Sequence, residues 1–144
     1  MYDPVMIQPF RDELTILGVR ELLTAREVDD AIAANKGTLL AVVNSVCGCA
    51  AGRARPGIRL ALEHGNKPDG MVSVFAGQDM EATARLRDQY LQGLPPSSPS
   101  IALYKGTELV YFMPRYRIEG RMPEQIAADL KNAFDEYCSE KIAV

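Results

Sequence analysis

Residues able to hold a metal ion or carry redox chemistry are scarce in this chain, which has one histidine, His64, and three cysteines among its 144 residues. A closed structural zinc site takes four ligands, and His64 and Cys138 lie far along the sequence from the other two cysteines, so a metal module is short of donors. Basic clusters are also missing. The densest is Arg53, Arg55 and Arg59 in a chain of net charge −3, which argues against an extended nucleic-acid footprint. Met1-Tyr2-Asp3-Pro4 supplies neither a basic region nor an apolar run, so no secretory signal or membrane anchor is expected and the expected location is the cytoplasm. Internal repeats and linkers are absent, and residues 1–144 read as a single domain. With 47% apolar and 24% charged residues, such a chain can build a hydrophobic core without disulfide or metal staples.

What is present is a close cysteine pair, Cys47-Gly48-Cys49, between a strand-like run, Thr38-Leu39-Leu40-Ala41-Val42-Val43-Asn44, and an alanine-rich stretch that begins at Ala50. A helix start beside the thiols offers backbone N–H groups that favour thiolate over thiol. In a reducing compartment such a pair serves catalysis, redox sensing or metal binding more often than permanent stapling. The pair therefore reads as redox-active, with packing residues or half of a zinc site as the bland alternatives. Cys47, at the exposed turn, is the expected attacker, Gly48 permits the bend, and Cys49 points into the first helical turn. A disulfide within so small a ring is expected to be strained and easily reduced.

The apolar spacing of Ile7, Phe10, Leu14 and Leu17 predicts a helix ending near Gly18, with Asp3-Pro4 as its start and Pro9 as a kink or later beginning. Thr24 and Glu27 form a capping box for a second helix, Leu23 and Val28 are spaced as a hydrophobic staple, and Gly37 is the expected stop. Thr38 to Val43 reads as a buried strand. A helix kinked at Pro56 follows the cysteines to about Glu63, with His64 capping its end. A second buried strand, Met71 to Ala76, leads to Asp79, the expected cap of a helix carrying Ala82, Leu86 and Tyr90. Leu94 to Pro99 must be a loop. Ser100 to Tyr104 and Glu108 to Phe112 flank Lys105-Gly106-Thr107 as a hairpin. A last helix opens near Pro123 and carries Ile126, Leu130, Phe134 and Tyr137 on one face; Cys138 shares that stripe and reads as a buried small hydrophobe. Arg53 and Arg55 read as solvated surface residues. The element order implies an α/β fold with a mixed sheet covered on both faces.

A strand ending in a cysteine pair, a proline-kinked helix, a later Ser-Pro step, a hairpin and a closing helix together resemble the thioredoxin superfamily. More narrowly, Val43-Asn44-Ser45-Val46-Cys47-Gly48-Cys49-Ala50-Ala51-Gly52, with Val74-Phe75-Ala76-Gly77-Gln78-Asp79 and Pro96-Ser97-Ser98-Pro99-Ser100, is similar to the bacilliredoxin family across essentially the whole chain. These are thiol–disulfide oxidoreductases, also described as disulfide isomerase-like proteins, that remove bacillithiol caps from proteins. The resemblance implies a thioredoxin-like three-layer sandwich, with a central mixed sheet of about four strands, helices on both faces and extra N-terminal helices. It also implies Cys47 as nucleophile, Cys49 as second thiol, and a cis Ser98-Pro99 bond that places Ser98 and Pro99, with Gly48, against the substrate. Cys138 resembles a C-terminal family cysteine. The implied partners are S-thiolated client proteins and bacillithiol or another low-molecular-weight thiol, with no cofactor and no metal. The alternatives are a disulfide isomerase or reductase acting directly on protein disulfides, and a soft-metal module built on the two close cysteines.

Overall fold

The computed structural model describes residues 1–138. Its centre is a five-stranded sheet in the order β1-β3-β2-β4-β5, where β1 is Arg20–Glu21, β2 Thr38–Asn44, β3 Gly70–Phe75, β4 Ser100–Lys105 and β5 Glu108–Met113. β1, β3 and β2 run parallel; β4 is antiparallel to β2, and β5 antiparallel to β4. The mixed sheet is thus as expected, with one strand more than the four expected. The addition, β1, is two residues long and carries no periodic signal.

Strand β2 is buried along its whole length because both of its faces are covered. Leu40 and Val42 enter one core cluster with Ile58, Ile126, Leu130 and Phe134. Leu39, Ala41 and Val43 enter the other, with Val28, Ile32, Ala82 and Leu86. This is the two-residue alternation of a strand, hidden in the sequence because both faces take apolar side chains. Helices α2 (Ala25–Ala34) and α4 (Met80–Arg85, continued by a π-helical turn over Leu86–Tyr90) therefore cover one face. Helices α3 (Arg55–Ala61) and α5 (Pro123–Tyr137) cover the other, with Leu14 of α1 (Pro4–Thr15) packed beside them.

Several helix boundaries differ from the expected ones for local reasons. Asp3 caps α1 by accepting the Val5 N–H, and Pro9 sits inside the helix without ending it. Thr24 caps α2 as expected, while the Glu27 carboxylate accepts the Leu23 N–H in place of the Thr24 N–H, and Leu23 stays exposed. The stop of α2 is extended Asn35 and not Gly37; the Asn35 amide instead ties the Gly37 and Gly106 carbonyls. Asp79 stands at the head of α4 but makes no side-chain cap there, because its carboxylate is taken by Arg11 at 2.8 Å and 2.9 Å and by the Phe75 N–H. Gly106 has φ +60°, the left-handed turn the β4–β5 hairpin needs. Among the described residues no helix is long and apolar enough to cross a membrane.

Candidate functional site

Past the end of β2, the chain is held by its own polar side chains. The Ser45 N–H donates to Asn44 Oδ1 at 2.9 Å, and the Cys47 N–H donates to Ser45 Oγ at 3.1 Å. Arg55 reinforces this turn from behind: its Nη1 donates to Asn44 Oδ1 and to the Ser45 carbonyl, both at 2.9 Å, and its Nε pairs with Glu13 at 2.7 Å. The guanidinium stacks over the Phe10 ring at 5.0 Å and its side chain is 2% exposed. Arg55 is therefore no solvated surface residue. Its helical position says nothing of the acceptors in Glu13, Asn44 and Ser45, which come from other elements, and a buried cation persists only with such partners.

Helical geometry begins at Gly48, and the Ala50 and Ala51 N–H groups both donate to the Cys47 carbonyl. Over Ala50–Ala54 the turn is π-helical, with the Arg55 N–H reaching back to the Ala50 carbonyl. The expected kink at Pro56 is thus preceded by a widened turn, and Pro56 lies in the first turn of α3. Gly48 does not serve as a hinge, since its φ is not positive and a Cβ there would meet nothing within 4 Å. The space that a side chain would take at this position is open.

The two thiols titrate in opposite directions. Burial pushes the Cys47 thiol up, but hydrogen bonds from the Ser45 hydroxyl, the Ala50 and Cys49 N–H groups and the Cys49 thiol outweigh it, and the net shift is downward. Cys49 is pushed up, first by burial and then by the charge of Cys47, with Arg115 opposing and Glu119 adding to the shift. Cys49 also packs against the core cluster that includes Ile58 and Ile126.

The Ser98-Pro99 bond is cis, as the resemblance implies. The pairing of Ser100 with Val43 brings this loop beside the end of β2 from which the cysteines emerge. Sequence reasoning missed what joins the two, a short 3-10 turn, Arg115–Arg117. Arg115 Nη1 donates to the Ser98 carbonyl at 3.3 Å, and its Nε pairs with Glu119 at 3.0 Å. The Cys49 thiol donates to Glu119 Oε2 at 3.9 Å. Arg115 and Glu119 also line a cavity of about 570 Å³ walled by Pro95, Pro96, Phe112 and Tyr116. A larger cavity, of about 770 Å³, lies between α2 and the start of β3 and includes no cysteine in its lining.

Cys138 and His64 are elsewhere. Cys138 packs on the core beside Thr38, at the end of β2 opposite the cysteine pair; burial pushes its thiol up, against a hydrogen bond from Thr38. His64 does not cap its own helix; its Nε2 meets Asp135 of α5 at 2.7 Å. Among the described residues no three His, Cys, Asp or Glu side chains converge as a metal site.

The sequence profile of a family described as disulphide isomerase matches residues 2–138. A bacilliredoxin of Koribacter versatilis (strain Ellin345) is 54% identical over 138 residues, covering 96% of this chain and 94% of its own. One of Shouchella clausii (strain KSM-K16) is 53% identical over 135 residues, covering 94% and 92%. Among solved structures, the oxidised thioredoxin of Plasmodium falciparum superimposes with a TM-score of 0.57 at 16% identity, over 84% of this chain and 99% of that one. A mutant thioredoxin of Halobacterium salinarum does so with a TM-score of 0.56 at 20% identity, over 86% and 93%.

Proposed function

Since the chain belongs to the bacilliredoxin family and has the thioredoxin fold, we propose that it removes low-molecular-weight thiol caps, bacillithiol foremost, from the cysteines of client proteins. It is a thiol–disulfide oxidoreductase. In the proposed cycle the Cys47 thiolate attacks the cap sulfur of the mixed disulfide, and the client leaves as a thiolate and takes a proton. Cys47 then carries the cap. Cys49 attacks Cys47 Sγ, the small thiol departs, and a Cys47–Cys49 disulfide forms that an external thiol reduces. The proposed setting is the cytoplasm.

The observation that carries this reading is the split between the thiols. The lowering of Cys47 favours its thiolate, the attacking form, while the raising of Cys49 favours its thiol, which competes less for the cap. Supporting it, the Ser98-Pro99 loop leads into β4 beside the end of β2, Arg115 holds the Ser98 carbonyl, and Gly48 between the two cysteines is exposed.

The test uses a protein capped with bacillithiol on one cysteine. The native chain is expected to release the free thiol, Cys47→Ser to release none, and Cys49→Ser to accept the cap and keep it, with the adduct identified by its mass. Release by Cys47→Ser would overturn the assignment. Rearrangement of a scrambled disulfide protein without removal of caps would favour the isomerase reading.

A further inference from the structure

The proposed cycle leaves one proton without a destination. Cys49 must give up its proton at the moment it attacks Cys47, yet its surroundings hold it as a thiol. Among the described residues the side chains that act on its thiol are Cys47, Arg115 and Glu119. Cys47 is then bonded to the cap, and Arg115 has no acceptor to offer. The Glu119 carboxylate is the remaining base, with Oε2 3.9 Å from Cys49 Sγ. Its orientation is fixed by Arg115, which holds the same oxygen at 3.0 Å through Nε and reaches the Ser98 carbonyl through Nη1. The pair is only half-exposed, with side-chain exposures of 41% and 49%.

We propose that Glu119 is the proton acceptor of the resolving step and that Arg115 is its positioning residue. The inference rests on the function proposed above and adds a catalytic group to it. As the Cys49 sulfur attacks Cys47 Sγ, its S–H proton passes to the Glu119 carboxylate. The bond between Cys47 and the cap sulfur breaks, and the small thiol leaves with the electron pair. Glu119 returns the proton to that thiolate or to water. The cysteine pair is oxidised, the mixed disulfide is reduced, and Glu119 ends as it began. The first transfer makes no demand on Glu119, because the thiol its carboxylate accepts from is Cys49 and the attacking sulfur is Cys47.

The experiment separates the two steps in Glu119→Gln, a substitution that keeps shape and removes the basic oxygen. Native and variant proteins are mixed with a bacillithiol-capped peptide, quenched and alkylated at intervals, and analysed by mass. The variant is expected to accumulate the Cys47 adduct, with bacillithiol release slowed about a hundredfold, the low side of what a positioned acid–base group contributes. The difference should be greatest near neutral pH and vanish at high pH, where Cys49 is already a thiolate; a merely structural change would persist at every pH. Glu119→Asp should recover part of the rate.

A second probe, thionitrobenzoate placed on Cys47, reports the resolving step without any client. If that step slows in Glu119→Gln while the native protein ignores the bacillithiol peptide, the inference stands and the cap-removal reading falls. Equal resolving rates in native and Glu119→Gln proteins, with either probe, overturn the inference.

Discussion

At the scale of single residues, the reactivity of the site is decided by two sulfurs one glycine apart whose surroundings differ. Cys47 ends a turn whose donors are the Ser45 hydroxyl and the N–H groups of a starting helix, while Cys49 leans on the core. Alkylation of the reduced protein with iodoacetamide, followed by peptide mapping across pH, should give Cys47 a midpoint below that of an ordinary thiol and Cys49 one above it. Between the two midpoints the product should be labelled on Cys47 alone; labelling of Cys49 first would reverse their roles. The cysteine pair was legible in the sequence because two thiols one residue apart are a local signal, whereas the cis Ser98-Pro99 step was expected from the family resemblance alone. Arg55, Arg115 and Glu119 were not legible. Arg55 looks like any helical arginine until Glu13, 42 residues before it, is seen to meet it, and Glu119 stands 70 residues from the sulfur it touches.

At the scale of elements, the site depends on how closely α3 can approach α5, since α3 carries Arg55 and continues the helical turn that begins beside Cys47. Gly57 is the point of close approach: a Cβ there would meet Ile126 Cγ2 at 2.7 Å and the Pro123 carbonyl at 3.3 Å. Gly57→Ala is therefore expected to push the helices apart and cost about 1–3 kcal/mol, the usual range for overpacking. Gly52, in the π-helical turn, has nothing within 4 Å of an added Cβ. Gly52→Ala should be neutral or stabilising by up to about 1 kcal/mol through the unfolded chain. Paired thermal melts check both; equal midpoints would deny the close approach at Gly57. The long periodic helices and the hairpin were readable because one apolar face or one turn defines each. The π-helical turns and β1 were not, since a shift from four- to five-residue hydrogen bonding leaves the pattern of side chains nearly unchanged and two residues make no pattern.

At the scale of the whole molecule, β2 separates the cysteines. Its seven residues span about 20 Å, with Cys47 beyond one end and Cys138 beside Thr38 at the other. Cys138→Ala should leave the rate of cap transfer unchanged and cost on the order of 1 kcal/mol for a small packed group. A large loss of transfer in the folded variant, or a Cys47–Cys138 disulfide on peptide mapping, would contradict that separation. The opposed thiols also bear on the total charge. Between the two midpoints the reduced protein carries one thiolate more than the formal −3 of the sequence, and closing the disulfide removes it. Oxidation then releases one proton for two electrons, so the midpoint potential should shift by about 30 mV per pH unit in that window and by about twice as much below it. Acidification therefore makes the couple a stronger oxidant, and a change in the proton concentration of its surroundings alters how readily it hands electrons on.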